Sequence, residues 1–85
     1  MKVWARVRVD NRTVDQFTVE IDKKSASEVA DWNAPLGELC RALDIARPIV
    51  LSKHVNDLLS FSHTAFRPGD FIESVRFDRL EIELF

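Results

Sequence analysis

At both ends of the chain apolar residues recur at every second position, and between the ends they recur at every third or fourth. Val3, Ala5, Val7 and Val9 fall on one side of the opening stretch, with Lys2, Trp4, Arg6 and Arg8 on the other. Leu80, Ile82 and Leu84 alternate in the same way with Glu81 and Glu83 at the close. A period of two is that of a strand with one face buried and one face wet. The chain must therefore bring two half-buried strands from its two ends against whatever the middle supplies.

A second alternation, Phe17, Val19 and Ile21 against Gln16, Thr18 and Glu20, follows the turn-forming group Asp10, Asn11 and Arg12, so the first two strands form a hairpin. The predicted register sets Val7 against Phe17, Ala5 against Val19 and Val3 against Ile21, keeping the apolar members on one face. Val14 is out of phase with Phe17, which predicts a bulge near Asp15 or a five-residue connection.

The period then changes. Val29, Trp32, Leu36, Leu39, Cys40 and Leu43 lie on one helical stripe, with Ser25 and Glu28 as a capping-box pair ahead of it. Pro35 breaks the stripe, because proline lacks the amide donor and clashes with the carbonyl of Asp31. A helix that restarts with Asn33 as its N-cap accommodates Pro35 in its first turn and runs from about Ala34 to Ile45. Ile49 to Leu51 read as a short buried extended piece, and Ser52 as the cap of a second helix with Val55, Leu58 and Leu59 inward. Phe61, Phe66 and Phe71 read as plugs pinning an irregular connection onto the core, with Asp70 and Glu73 capping a single turn and a corner at Asp78 and Arg79.

These elements predict an α+β fold: an N-terminal β-hairpin, a helix, a short extended piece, a second helix, and a C-terminal strand beside the first strand. The helices cover one face of a three- to four-stranded sheet, β-grasp-like in outline. A length of 85 residues fits a single domain spanning residues 1–85, with little volume for a deep cleft beside a packed core.

Arg47 and Pro48 followed by Ile49, Val50 and Leu51, then Phe71, Ile72 and Glu73, then Phe77 to Ile82 resemble a group of short uncharacterised bacterial proteins over about residues 39–84. The resemblance implies a small stand-alone bacterial protein and transfers no functional residue.

Composition narrows the function classes. Twelve basic residues against fourteen acidic ones leave a net charge of −2, so no global field draws the chain to nucleic acid or an anionic membrane. The single cysteine excludes a disulfide framework and fits a cytoplasmic setting. No apolar run exceeds three residues, so no membrane span or secretory leader is expected. Glycine-rich phosphate loops are missing as well, and no cofactor is expected.

Three constellations remain. Trp4, Arg6 and Arg8 project together from the outer side of the first strand, a mix suited to a protein partner, to a homodimer contact shared with Phe85, or to the bases and phosphates of a nucleic acid. If the first and last strands are neighbours, the same arginines simply pair across the sheet with Glu81 and Glu83, the reading that the weakness of isolated charge patches as functional signals favours. His54 and Asp57, at i and i+3, with His63 beyond the second helix, form the only acid–base set, and their spacing matches no metal-ligand pattern. Cys40 belongs to the core stripe. The leading expectation is a non-enzymatic interaction module acting through Trp4, Arg6 and Arg8, ahead of nucleic-acid binding and of a small enzyme built on His54, Asp57 and His63.

Overall fold

A computed structural model describes residues 1–85. Strands β1 (Lys2–Val9) and β2 (Arg12–Glu20) form the hairpin, helices α1 (Asn33–Leu43) and α2 (Ser52–Phe61) follow, and strands β3 (His63–Phe66) and β4 (Arg79–Leu84) complete the chain. The sheet order is β2-β1-β4-β3, and all three pairings are antiparallel. β4 lies beside β1, with Ala5 opposite Ile82 and Arg6 opposite Glu81. The predicted α+β class and terminal pairing are present, and the element order holds except that a further strand, β3, stands between α2 and β4.

The hairpin turns on Asp10 and Asn11, both at positive φ (51° and 62°). Such a two-residue turn matches the twist of the strands it joins, and Asp and Asn tolerate the left-handed region better than other side chains. The predicted register needs a correction of two residues: Val3 faces Val19, Ala5 faces Phe17 and Val7 faces Asp15. Parity survives the shift, so the apolar faces are preserved. The register then jumps between Val7 and Arg8, where Thr13 faces Arg8 and Val14 is left over as a bulge. Bulge and tight turn together absorb the residues that the predicted pairing assigned to a longer loop. Phe17 overhangs the covered part of the inner face and stays 45% exposed.

The polypeptide between Glu20 and Asn33 carries only one 3₁₀ turn, Ala26–Glu28, and Ser25 makes no capping bond. Glu28 instead accepts the Lys24 amide, so the predicted capping box is replaced by a local turn. α1 starts afresh as predicted, with Pro35 in its first turn, although Trp32 occupies the N-cap position and Asp31 accepts the Asn33 amide. It ends at Leu43, two residues before the predicted limit, because Asp44 turns into the left-handed region (φ 55°). Ile49 and Leu51 are half exposed rather than buried, and Pro48 only bridges Phe71.

The segment read as an irregular connection contains β3, the fourth strand. Phe66 on β3 is fully buried and Phe71 nearly so, edge-on to Phe77 at 5.3 Å, whereas Phe61 is 63% exposed and plugs nothing. Asp70 caps the 3₁₀ turn Pro68–Asp70 by accepting the Arg67 amide. α1 packs against β2 and α2 against β3, so Leu36, Leu39 and Leu58 share one core with Val3, Ala5, Leu80 and Ile82. No helix is long and apolar enough to cross a membrane.

Candidate functional site

The side of the sheet away from the helices carries Trp4, Arg6 and Arg8 from β1 and Glu81 and Glu83 from β4. Cross-strand neighbours lie within reach of a salt bridge, and here they meet. Arg6 reaches Glu81 at 3.2 Å and Glu83 at 3.1 Å, Arg8 lies 3.8 Å from Glu81, and Arg79 donates to Glu81 at 2.7 Å. The Arg6 Nε contact is an ion pair without an aligned hydrogen bond, since that nitrogen has no acceptor in line. Burial would raise the Glu81 carboxyl, but the Arg79 hydrogen bond and the charges of Arg6, Arg79 and Arg8 outweigh it and hold it below the usual carboxylate range.

Trp4 is fixed from three sides. Its indole N–H donates to Gln16 at 2.9 Å, the Arg6 guanidinium lies 4.3 Å from the ring centroid, and Phe85 meets it edge-on at 6.0 Å. All three predicted binding residues therefore lie on one surface as expected, with both arginines neutralised there by glutamates of β4.

His54, Asp57 and His63 also come together, around a hollow of about 670 Å³ that wraps the outer edge of β3 and continues onto the outer sheet face. Their roles differ from a surface acid–base pair. His54 is buried, 1% exposed, with its ring 4.2 Å from that of Phe66. Its Nδ1 accepts the Leu51 amide at 3.0 Å, which caps α2, and its Nε2 sits 3.4 Å from Asp70 without a well-directed hydrogen bond. Asp57 accepts the Thr64 hydroxyl at 2.9 Å rather than meeting His54. Lys53 and Arg67, both in the lining, escaped sequence reasoning because the hollow exists only once residues 63–66 are a strand.

Against family models, curated proteins and solved structures, the chain finds no match.

Burial pushes the His54 imidazole below its ordinary 6.5, against the pull of the Asp70 and Asp57 carboxylates. An imidazole kept neutral by the fold takes its proton more readily in the unfolded chain, so its stabilisation is complete above 6.5 and declines as pH falls below that value. Asp70 is held below its ordinary 3.8, because the Arg67 amide, His54 and Lys53 outweigh its burial, so its contribution is lost only in stronger acid. The melting temperature should accordingly fall between about pH 7 and about pH 5, and His54→Gln should flatten that slope. An unchanged slope in calorimetric scans of the variant would assign it to another group.

Proposed function

We propose that the chain is a non-enzymatic cytoplasmic module that binds another protein through the outer face of its sheet. The observation that carries this is the contrast between the two faces. One is sealed by α1 and α2, with Val3, Ala5, Leu80 and Ile82 fully buried, and the other has no layer over it. That open face presents the Trp4–Phe85 pair beside charges already matched within the sheet, so a partner covers aromatic surface without stranding an unpaired ion. The cytoplasmic setting is supported by Cys40, a lone buried thiol pushed up to about 11 by burial against the opposing pull of Arg47.

The rival functions fit less well. A nucleic acid would have to compete with Glu81 and Glu83 for Arg6 and Arg8. A His54-based enzyme would have to free a ring that is buried and already accepts the Leu51 amide.

A photo-crosslinking residue at Thr18, exposed on the outer face opposite Trp4, tests the proposal. In cells it should give a discrete protein adduct that Trp4→Ala removes, while the same residue at Glu38 on the exposed side of α1 should give none. No adduct at position 18, or equal adducts at both positions, would refute it. The mass of the adduct shows whether the partner is a second copy of the chain.

A further inference from the structure

The sheet has two free edges, and they are not equivalent. On β2 the bulge at Val14 and the carboxylate of Asp15, on the parity of the inward-facing Val7, guard the edge against pairing with another strand. β3 carries neither device.

The backbone bonds fix which groups of β3 face outward. The Leu84 amide donates to the Ser62 carbonyl at 2.8 Å, and Ser62 and Leu84 continue the register in which Thr64 faces Ile82 and Phe66 faces Leu80. In an antiparallel ladder the residues between such bonded pairs point their N–H and C=O groups the other way. The amides and carbonyls of His63 and Ala65 are thus aimed away from β4, into the hollow of about 670 Å³ that wraps this edge.

The charges around the hollow are unequally committed. Asp57 accepts from Thr64, and Glu81 and Glu83 are held by arginines. Arg67 forms no ion pair, and Lys53, its side chain 66% exposed, has only a long contact of 3.9 Å to Asp70. Against these two free cations stands one carboxylate without a cation partner, Asp57, so the charge free to meet a ligand is positive on balance. Phe61, one helical turn beyond Asp57 on the same stripe of α2, adds an exposed ring.

We propose that the free edge of β3 takes an extended acidic segment of a partner protein as a fifth strand, its backbone on His63 and Ala65 and its carboxylates on Lys53 and Arg67. Strand addition supplies affinity through main-chain bonds, and flanking side chains supply selectivity. This goes beyond the outer-face reading, which centres on Trp4 and Phe85, by assigning a second surface at the other end of the sheet and the kind of segment it takes.

The test uses the full chain and a library of random seven-residue peptides displayed on phage. Selection should enrich sequences carrying Asp or Glu at alternate positions. A synthetic peptide of the enriched sequence should shift the amide resonances of His63 and Ala65 and should bind at least tenfold more weakly to the Lys53→Glu, Arg67→Glu double variant. Ala65→Pro removes one outward-facing donor without touching the β3–β4 bonds, and it should weaken binding comparably while β4 amide protection persists. The double variant alters only exposed side chains, so it stands if the proline variant fails to fold. Enrichment of basic peptides, no enrichment, or resonance shifts confined to β2 or to Trp4 would overturn the proposal. Crosslinking at Thr18 that persists alongside such a failure would leave the outer-face reading standing and remove only the edge.

Discussion

Phe66→Ala is expected to destabilise the domain by about 3–5 kcal/mol, the range for emptying a fully buried phenylalanine site. Phe66 has no exposed surface and lies in the core with Leu58 and Leu80, its ring against the His54 imidazole at 4.2 Å. Domains of this size have about 5–15 kcal/mol to lose, and each 1 kcal/mol moves the melting temperature by roughly 4–8 °C. The midpoint should therefore drop by more than about 12 °C. Because the same ring keeps water from His54, the variant should also let the imidazole titrate closer to its ordinary 6.5. Chemical denaturation and an NMR titration read the two effects separately. A loss below about 1 kcal/mol would mean that β3 is not anchored in the core, and both the fourth strand and the hollow at its edge would lose their support.

That strand marks where the chain's pattern stops being informative. β1, β2 and β4 announce themselves because one face of each is apolar over several alternations, and the pairing of β1 with β4 follows from the match of their apolar parities. β3 is four residues long, His-Thr-Ala-Phe, with one large apolar side chain, so it offers a single turn of the alternation and reads as loop. Its inward partner Thr64 is polar and is satisfied only by Asp57, a bond between elements that no local pattern displays. The hairpin register fails for a related reason. Parity is dictated by burial, but a shift of two residues leaves every face unchanged, and only the turn geometry of Asp10 and Asn11 decides it. On the outer face the pairing of Arg6 and Arg8 with Glu81 and Glu83 is legible, because cross-strand charge matching follows directly from which strands are neighbours. The hollow is not, since it depends on β3, on the path of α2 and on the cap that His54 provides.

Glu81→Ala is expected to cost about 1–3 kcal/mol, more than an ordinary surface ion pair contributes. The reason lies in what remains behind. Glu81 is about three-quarters buried at its side chain, and it faces Arg79 at 2.7 Å, Arg6 at 3.2 Å and Arg8 at 3.8 Å. Its removal leaves three guanidinium groups close together with Glu83, itself 3.1 Å from Arg6, as the remaining carboxylate of the cluster. Arg6 Nε and Arg8 Nε, buried and already without a hydrogen-bond acceptor, would then lose their nearest carboxylate, and Arg8 would keep no ion pair. Adding Arg6→Ala to Glu81→Ala should therefore recover part of the loss, with a coupling of about 0.5–3 kcal/mol in a double-mutant cycle, whereas independent surface charges would simply add. The same variant separates the rival functions of the face. If the arginines serve the sheet, freeing them from Glu81 should create a nucleic-acid affinity that the parent chain lacks, rising steeply as salt is lowered. A parent chain that already binds single-stranded DNA at low salt, unchanged by Glu81→Ala, would show instead that Arg6 and Arg8 are available despite their glutamates.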